Sequence, residues 1–140
     1  MLNFAKNQGL TKGYENIFHR ADALALPYPD GAFKFAMAAS FISVVPNPVA
    51  ALRELIRVTK PSGKLSVLLP NVTMTPANSQ QYSAEHRLAP TESALLHLWA
   101  SRARKMSEQE VTTSFGAAGL RDWRVRSYLD GMVLAVTGSC

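Results

Sequence analysis

A strand, a helix and a second strand follow one another within about 37 residues near the middle of this chain. Residues 33–40 are almost unbroken apolar sequence, which is typical of a strand covered on both faces in a parallel sheet. Asn47 and Pro48 then open an amphipathic helix that ends before Pro61. A Ser-Gly turn leads to a second apolar strand at residues 64–69. This order predicts a βαβ crossover and an α/β fold.

Three shorter patterns precede the crossover. Residues 2–10 resemble the end of a helix that is stopped by Gly9. Residues 16–21 predict a short strand, with Asp22 at its carboxyl end. The run Leu-Pro-Tyr-Pro-Asp-Gly at residues 26–31 predicts a loop, because its prolines fix the backbone and Asp-Gly permits a tight corner.

The sequence after the crossover changes composition twice. Residues 71–90 are rich in Thr, Asn, Ser, Gln and Pro, which indicates a long polar cap or loop. Residues 91–105 predict a helix, and its expected apolar face contains Leu95, Leu98 and Trp99.

The last third of the chain predicts a helix and a hairpin. A capping box at residues 107–110 opens a helix that stops at Gly119. Residues 122–128 alternate as an edge strand would, and residues 131–138 form a final apolar strand. The short link between these strands predicts an antiparallel hairpin.

Composition excludes several classes of protein. A length of 140 residues suits one domain, and no apolar run approaches the roughly 18 residues that a membrane span needs. The net charge of +5 is scattered along the chain, so a nucleic-acid partner is not expected. Cys140 is the one cysteine, which excludes an internal disulfide or a cysteine metal cluster. The first residues lack the pattern of a secretory signal, so we expect the cytoplasm.

Taken together, several segments resemble the class I methyltransferases that use S-adenosylmethionine. They are Ala-Asp-Ala at residues 21–23, the loop at residues 26–33, Val-Pro-Asn-Pro at residues 45–48 with Leu-Arg-Glu at residues 52–54, Arg-Val-Thr-Lys-Pro-Ser-Gly-Lys-Leu at residues 57–65, Ala-Ala-Gly-Leu at residues 117–120 and the closing hairpin. The resemblance covers nearly the whole chain apart from the polar segment. It implies a Rossmann-like methyltransferase sheet with a C-terminal antiparallel hairpin, and S-adenosylmethionine as the cofactor.

The resemblance also implies roles for individual residues. An acidic residue placed like Asp22 accepts a hydrogen bond from the adenine amine of the cofactor, with the backbone at Ala23 assisting. Ser40 and Phe41 occupy the position that borders the cofactor and the incoming substrate. The alternatives are that Asp22 only ends a strand as a turn residue, and that Ser40 and Phe41 are packing residues.

The chain departs from the family pattern at its start. The family's glycine-rich loop and its ribose-binding acidic residue are not found, and none of the eight glycines forms Gly-x-Gly. The sheet is therefore expected to be incomplete, with the first βαβ unit missing from a single, N-terminally truncated domain at residues 1–140. Unpaired strand edges would invite a homodimer or a partner chain. Residues 71–106 are expected to form a cap inserted in the domain, and Ser62 stands where relatives usually carry glycine.

Methyl transfer needs positioning of the acceptor more than a dedicated nucleophile, so no catalytic residue is assigned. Tyr82, His86 and Trp99 in the cap are candidate substrate residues, and the histidine spacing does not suggest a metal site. The predicted activity is methyl transfer to a small molecule, and loose similarity around residues 43–46 suggests a lipid-like or quinone-like acceptor. The main alternative is a non-catalytic fragment or subunit that needs a partner chain. A basic nucleic-acid-binding module and a dinucleotide oxidoreductase are weaker alternatives.

Overall fold

The structure is a computed structural model that describes residues 18–140. In this part of the chain the strands are β1 (Phe33–Ala39), β2 (Thr59–Pro70), β3 (Arg121–Tyr128) and β4 (Val133–Ser139). The helices are α1 (Pro48–Val58), α2 (Pro76–Glu85), α3 (Pro90–Arg102) and α4 (Glu108–Ala118). The predicted α/β class is confirmed, and none of these helices is long and apolar enough to cross a membrane.

The strands form one sheet in the order β1-β2-β4-β3. β1 and β2 are parallel and are joined through α1, so the predicted βαβ crossover is confirmed. β4 runs antiparallel to both β2 and β3, as the predicted hairpin requires. The register places Ala38 of β1 beside Val67 of β2, and Val67 beside Val136 of β4. The hairpin of β3 and β4 therefore lies on the side of β2 that is away from β1.

Local sequence signals explain where α1 and α4 begin and end. The side chain of Asn47 accepts a hydrogen bond from the backbone N–H of Ala50 at 3.0 Å, which satisfies a donor of the first turn of α1. The hydroxyl of Ser107 does the same for Glu110 at the start of α4. Gly119 ends α4 with φ of +91°, a conformation that glycine adopts without steric cost.

The main core lies between the sheet and the pair α1 and α4. Alternate residues of β2 and β4 point into it because successive side chains of a strand face opposite sides. The fully buried side chains include Leu52, Leu65, Val67, Val111 and Phe115. This packing fixes α1 against β2, and α1 in turn positions the loop described below.

A second, smaller core packs residues of α3 against the start of β4. Met74, Leu96, Ala100, Met132 and Val133 are buried there, and Trp99 packs against them in a half-buried position. The predicted apolar face of α3 is therefore wrong in part. Leu95 and Leu98 are 62% and 55% exposed, because the helix turns Leu96 and Ala100, one turn apart, toward the core.

Three other expectations need correction. The polar segment at residues 71–90 contains α2, which begins with Thr75 as its cap and Pro76 in its first turn. Of the strand expected at residues 16–21, the described residues 18–21 are not in a strand, and the rest lies outside the described residues. The helix end expected at residues 2–10 also lies outside them. The described part of the chain covers β1 on one face only, since Phe35 and Met37 are 56% and 68% exposed while Ala38 is buried.

Candidate functional site

A hydrogen-bonded clamp holds the loop before β1 against α1. Arg57 of α1 donates to the backbone oxygens of Leu26 and Tyr28 at 3.0 and 2.8 Å, and to the carboxylate of Asp30 at 2.7 Å. Glu54, one turn earlier, accepts from the backbone N–H of Leu26 at 2.8 Å. The loop and the helix of the family motif therefore form one unit, because the helix supplies the polar partners of the loop backbone.

Glu54 and Arg57 also bind each other at 2.8 Å through two nitrogens of the guanidinium group. The hydrogen bond from Arg57, and then the one from the Leu26 backbone, lower the pKa of Glu54 from 4.5 to about 2. The same carboxylate, followed by that of Asp30, raises the pKa of Arg57 further above its ordinary value. Glu54 and Arg57 are thus both charged throughout the physiological pH range.

The clamped loop forms one wall of a cavity of about 380 Å³. This volume lies in the range of small-molecule sites. Its other walls come from the end of β1, the segment after it, and Leu55 of α1. The lining residues are His19, Ala21, Ala23, Leu26, Tyr28, Met37, Ala38, Ala39, Phe41 and Leu55. The cavity therefore lies at the carboxyl end of β1, where open α/β sheets bind their ligands.

Two of the four residues predicted to bind the cofactor, Ala23 and Phe41, line this cavity. Asp22 lies between the lining residues Ala21 and Ala23, and its side chain is exposed. Its carboxylate accepts a hydrogen bond from the backbone N–H of Leu24 at 2.9 Å, so it also shapes a turn. Ser40 follows β1 with φ of +53°, and its N–H donates to the carbonyl oxygen of Leu68 at 2.7 Å. The positive φ of Ser40 therefore turns the chain directly after β1, just before Phe41.

His19 and Tyr28 line the cavity and were not among the predicted site residues. Their rings are stacked with centroids 5.6 Å apart, and His19 Nδ1 lies 2.8 Å from the hydroxyl of Tyr28. Tyr28 also meets Phe33 edge to face at 4.9 Å. The Tyr between two prolines in the loop was the available sequence signal, because such a rigid segment holds an aromatic ring in one place.

The structure places the predicted substrate residues of the cap elsewhere. Tyr82 and His86 stack with ring centroids 3.9 Å apart, and Tyr82 lines a separate cavity of about 230 Å³. The wall of that cavity is mostly polar: Asn78, Gln81, Tyr82, Glu85, Asp130 and Met132. Trp99 packs on the smaller core, and His97 Nδ1 lies 3.4 Å from the hydroxyl of Ser79. Tyr82, His86 and Trp99 therefore do not line the cavity at the end of β1.

Sequence comparison connects the first half of the chain to methyltransferases. The family model described as a methyltransferase domain matches residues 1–67. The demethylmenaquinone methyltransferase of Thermus thermophilus is 44% identical over 68 residues, which is 49% of this chain and 31% of that protein. The demethylmenaquinone methyltransferase of Desulfitobacterium hafniense is 26% identical, covering 98% of this chain and 61% of that protein. The chain thus spans less than two thirds of the length of these curated relatives.

Structural comparison extends the similarity to the second half. A SAM-dependent methyltransferase of Thermotoga maritima, described as a possible histamine N-methyltransferase, superposes with a TM-score of 0.70 at 20% identity. The superposition covers 99% of this chain and 68% of that protein, so it includes the cap and the hairpin. The chain therefore has the class I methyltransferase fold, and its match to the methyltransferase-domain model lies in residues 1–67.

Proposed function

We propose that this chain takes part in methyl transfer from S-adenosylmethionine to a small, quinone-like acceptor. The observation that carries the proposal is the cavity at the end of β1, whose walls contain Ala23 and Phe41 and which lies beside Asp22. The demethylmenaquinone methyltransferases that resemble the chain support the class of acceptor.

The residues present fit the adenine end of the cofactor. Asp22 is exposed and has a second carboxylate oxygen besides the one that accepts from Leu24, so it could accept from an exocyclic amine. Ala23 leaves room beside it, and Phe41 and Tyr28 supply apolar and aromatic surface for a planar base. When bound, the cofactor supplies an electrophilic methyl group on sulfur. The chain's own contribution is to hold and orient, which accounts for much of the acceleration in such reactions.

The cap is the proposed acceptor side of the molecule. We propose residues 71–106 as a cap within one domain, with Tyr82, His86 and Trp99 as its candidate substrate residues. Tyr82 and Trp99 both pack against the smaller core. A cytoplasmic location belongs to the same proposal.

Calorimetric titration of S-adenosylmethionine into the 140-residue chain tests the proposal. We expect saturable binding that Asp22→Ala weakens by about tenfold or more, because one charge-assisted hydrogen bond would be lost. Asp122→Ala is the matched control. Asp122 is exposed and lies in β3, away from the cavity, so its loss changes the net charge equally without touching the site.

The possible outcomes distinguish cofactor binding at Asp22 from an effect of net charge and from a subunit role. Equal weakening by both variants would show that only net charge matters and would remove Asp22 from the site. No heat of binding with the unchanged chain would count against cofactor binding by these 140 residues. That result would favour the second candidate function, a subunit that needs a partner chain, which the open outer edge of β1 in the described part of the sheet supports.

A further inference from the structure

A second cavity, of about 410 Å³, shares no lining residue with the proposed cofactor site. It lies between the segment after β1, the start of α1 and the first turns of α4. The lining residues are Ser43, Pro48, Arg104, Lys105, Met106, Ser107, Gln109, Glu110, Thr113 and Ser114. The backbone N–H of Met106 donates to the carbonyl oxygen of Pro70 at 3.0 Å, so this wall is tied to the carboxyl end of β2. The cavity therefore lies near the edge of the sheet at which α/β proteins bind ligands.

Ser43 lines this cavity and has an unusual buried hydroxyl. The residue is 2% exposed, and its buried hydroxyl has no hydrogen-bond partner among residues 18–140. Buried hydroxyl groups in folded proteins nearly always have a partner, so an exception needs an explanation. A ligand in the adjoining cavity would supply the missing partner.

The charges around the cavity indicate the kind of ligand. Arg104 and Lys105 contribute two cations, and neither forms an ion pair with another residue in the range 18–140. The N-terminus of α4, an eleven-residue helix, adds the positive end of its dipole. Glu110 is the one carboxylate in the wall, and Ser107 already holds it with its N–H and its hydroxyl, each at 2.7 Å. The lining side chains thus carry a net charge of +1.

We propose that this cavity binds a phosphate group, with Arg104 and Lys105 as its counter-charges and Ser43 as a hydrogen-bonding partner. A tetrahedral phosphate accepts several hydrogen bonds, and the hydroxyls of Thr113 and Ser114 add further donors to the wall. Met106 and Pro48 supply apolar surface for an organic substituent. The inference does not rest on the proposed methyl transfer, because the two cavities are separate.

The test uses the full chain in a phosphate-free buffer of low ionic strength, with inorganic phosphate and phenyl phosphate as the two probes. Binding is followed by calorimetry and by amide chemical shifts. We expect saturable binding with shifts in residues 104–110. Tighter binding of phenyl phosphate would identify an organic phosphate as the ligand, whereas equal affinity would identify the inorganic ion. Both results support a phosphate site.

Three variants decide whether the cavity itself is responsible. We expect Arg104→Gln with Lys105→Gln to weaken binding by about tenfold or more, and Ser43→Ala to weaken it by about threefold to tenfold. Arg124→Gln with Arg126→Gln removes the same charge from exposed positions of β3 and should change the affinity less than about twofold. Ser43→Ala removes only an unpartnered hydroxyl, so it should fold normally, and melting curves will check this.

Three results would overturn the proposal. One is a lack of saturable binding of either probe. Another is equal weakening by the β3 control, which would show attraction to net charge alone. The third is an unchanged affinity of Ser43→Ala, which would leave the buried hydroxyl without a role in binding.

Discussion

Single side chains of α1 determine the shape of the loop that forms the proposed cofactor site. Glu54 accepts hydrogen bonds from the Leu26 backbone and from Arg57, so the folded chain stabilises its charged form. We expect Glu54→Gln to lower the free energy of unfolding by about 1–2 kcal/mol at neutral pH, measured by urea denaturation. Glu85→Gln is the control, since Glu85 is exposed and accepts a hydrogen bond from Gln81 one turn away on the same helix. A control that loses as much stability would contradict this prediction.

The same carboxylate predicts a pH dependence. Its pKa is about 2 in the folded chain and 4.5 ordinarily, so the folded state favours the charged form. The stabilisation is complete above about pH 4.5 and is lost as the pH falls toward 2. The difference in unfolding free energy between the unchanged chain and Glu54→Gln should therefore shrink over this interval. A difference that stays constant from pH 6 to pH 2.5 would show that the loss is steric.

Ser62 and Gly63, where the sequence predicted a turn, lie within β2 at the point where its pairing with β1 is irregular. These two adjacent residues should respond to substitution in opposite directions. Ser62 has φ of +67°, a conformation that costs a residue with a side chain more than it costs glycine. We expect Ser62→Gly to raise the unfolding free energy by about 0.5–1 kcal/mol, because glycine removes this steric cost. At Gly63, by contrast, an added Cβ would lie 2.7 Å from the carbonyl oxygen of Lys60 and 2.9 Å from that of Lys34.

Gly63→Ala should therefore destabilise the chain by about 1–3 kcal/mol, because the backbones of β1 and β2 would have to separate. Thermal denaturation of both variants measures the two effects on one scale. Two shifts of the same sign would contradict the geometric argument.

At the scale of elements, α1 connects the sheet to the loop, so its first turn affects both. Asn47→Ala removes the side-chain acceptor for the N–H of Ala50 and should cost about 1 kcal/mol. Asn47→Asp keeps an acceptor and should cost much less. Hydrogen exchange of the amide of Ala50 should rise in the alanine variant alone. Equal exchange in the two variants would show that Asn47 does not cap the helix.

Elements with strong local signals were predictable from sequence, and elements decided by packing were not. The cap at Asn47 and the capping box at Ser107 mark helix starts correctly because they satisfy backbone donors locally. α2 was missed because its composition is polar, although Thr75 and Pro76 are start signals. The apolar face of α3 contains more leucines than the core accepts, and only the fold selects Leu96 over its neighbours.

The residues of the candidate site also divide into those predictable from sequence and those decided by packing. Ala23 and Phe41 could be placed from the family motif, and the structure brings them to one cavity. His19 could not be placed, because its contact with Tyr28 joins residues nine positions apart and depends on the loop's tertiary position. The 410 Å³ cavity also brings together residues that are distant in sequence, and no local pattern indicates an unpartnered hydroxyl.

At the scale of the whole molecule, the outer side of β1 is the feature that governs association. β1 is an edge strand of the described sheet, and Phe35 and Met37 on its open face are 56% and 68% exposed. Edges and apolar faces of this kind pair with other chains. We therefore expect the 140-residue chain to self-associate as its concentration rises, and sedimentation velocity should show dimers or larger species.

Phe35→Glu should shift that equilibrium toward the monomer, because a charge on the open face opposes burial of the strand. Leu95→Glu on α3 is the matched control, since Leu95 is 62% exposed and lies away from the sheet edge. If association depends on β1, only the first variant will reduce it. Loss of association in the control alone would place the contact on the cap. A chain that stays monomeric at all concentrations would show that the open edge of β1 does not attract a second copy.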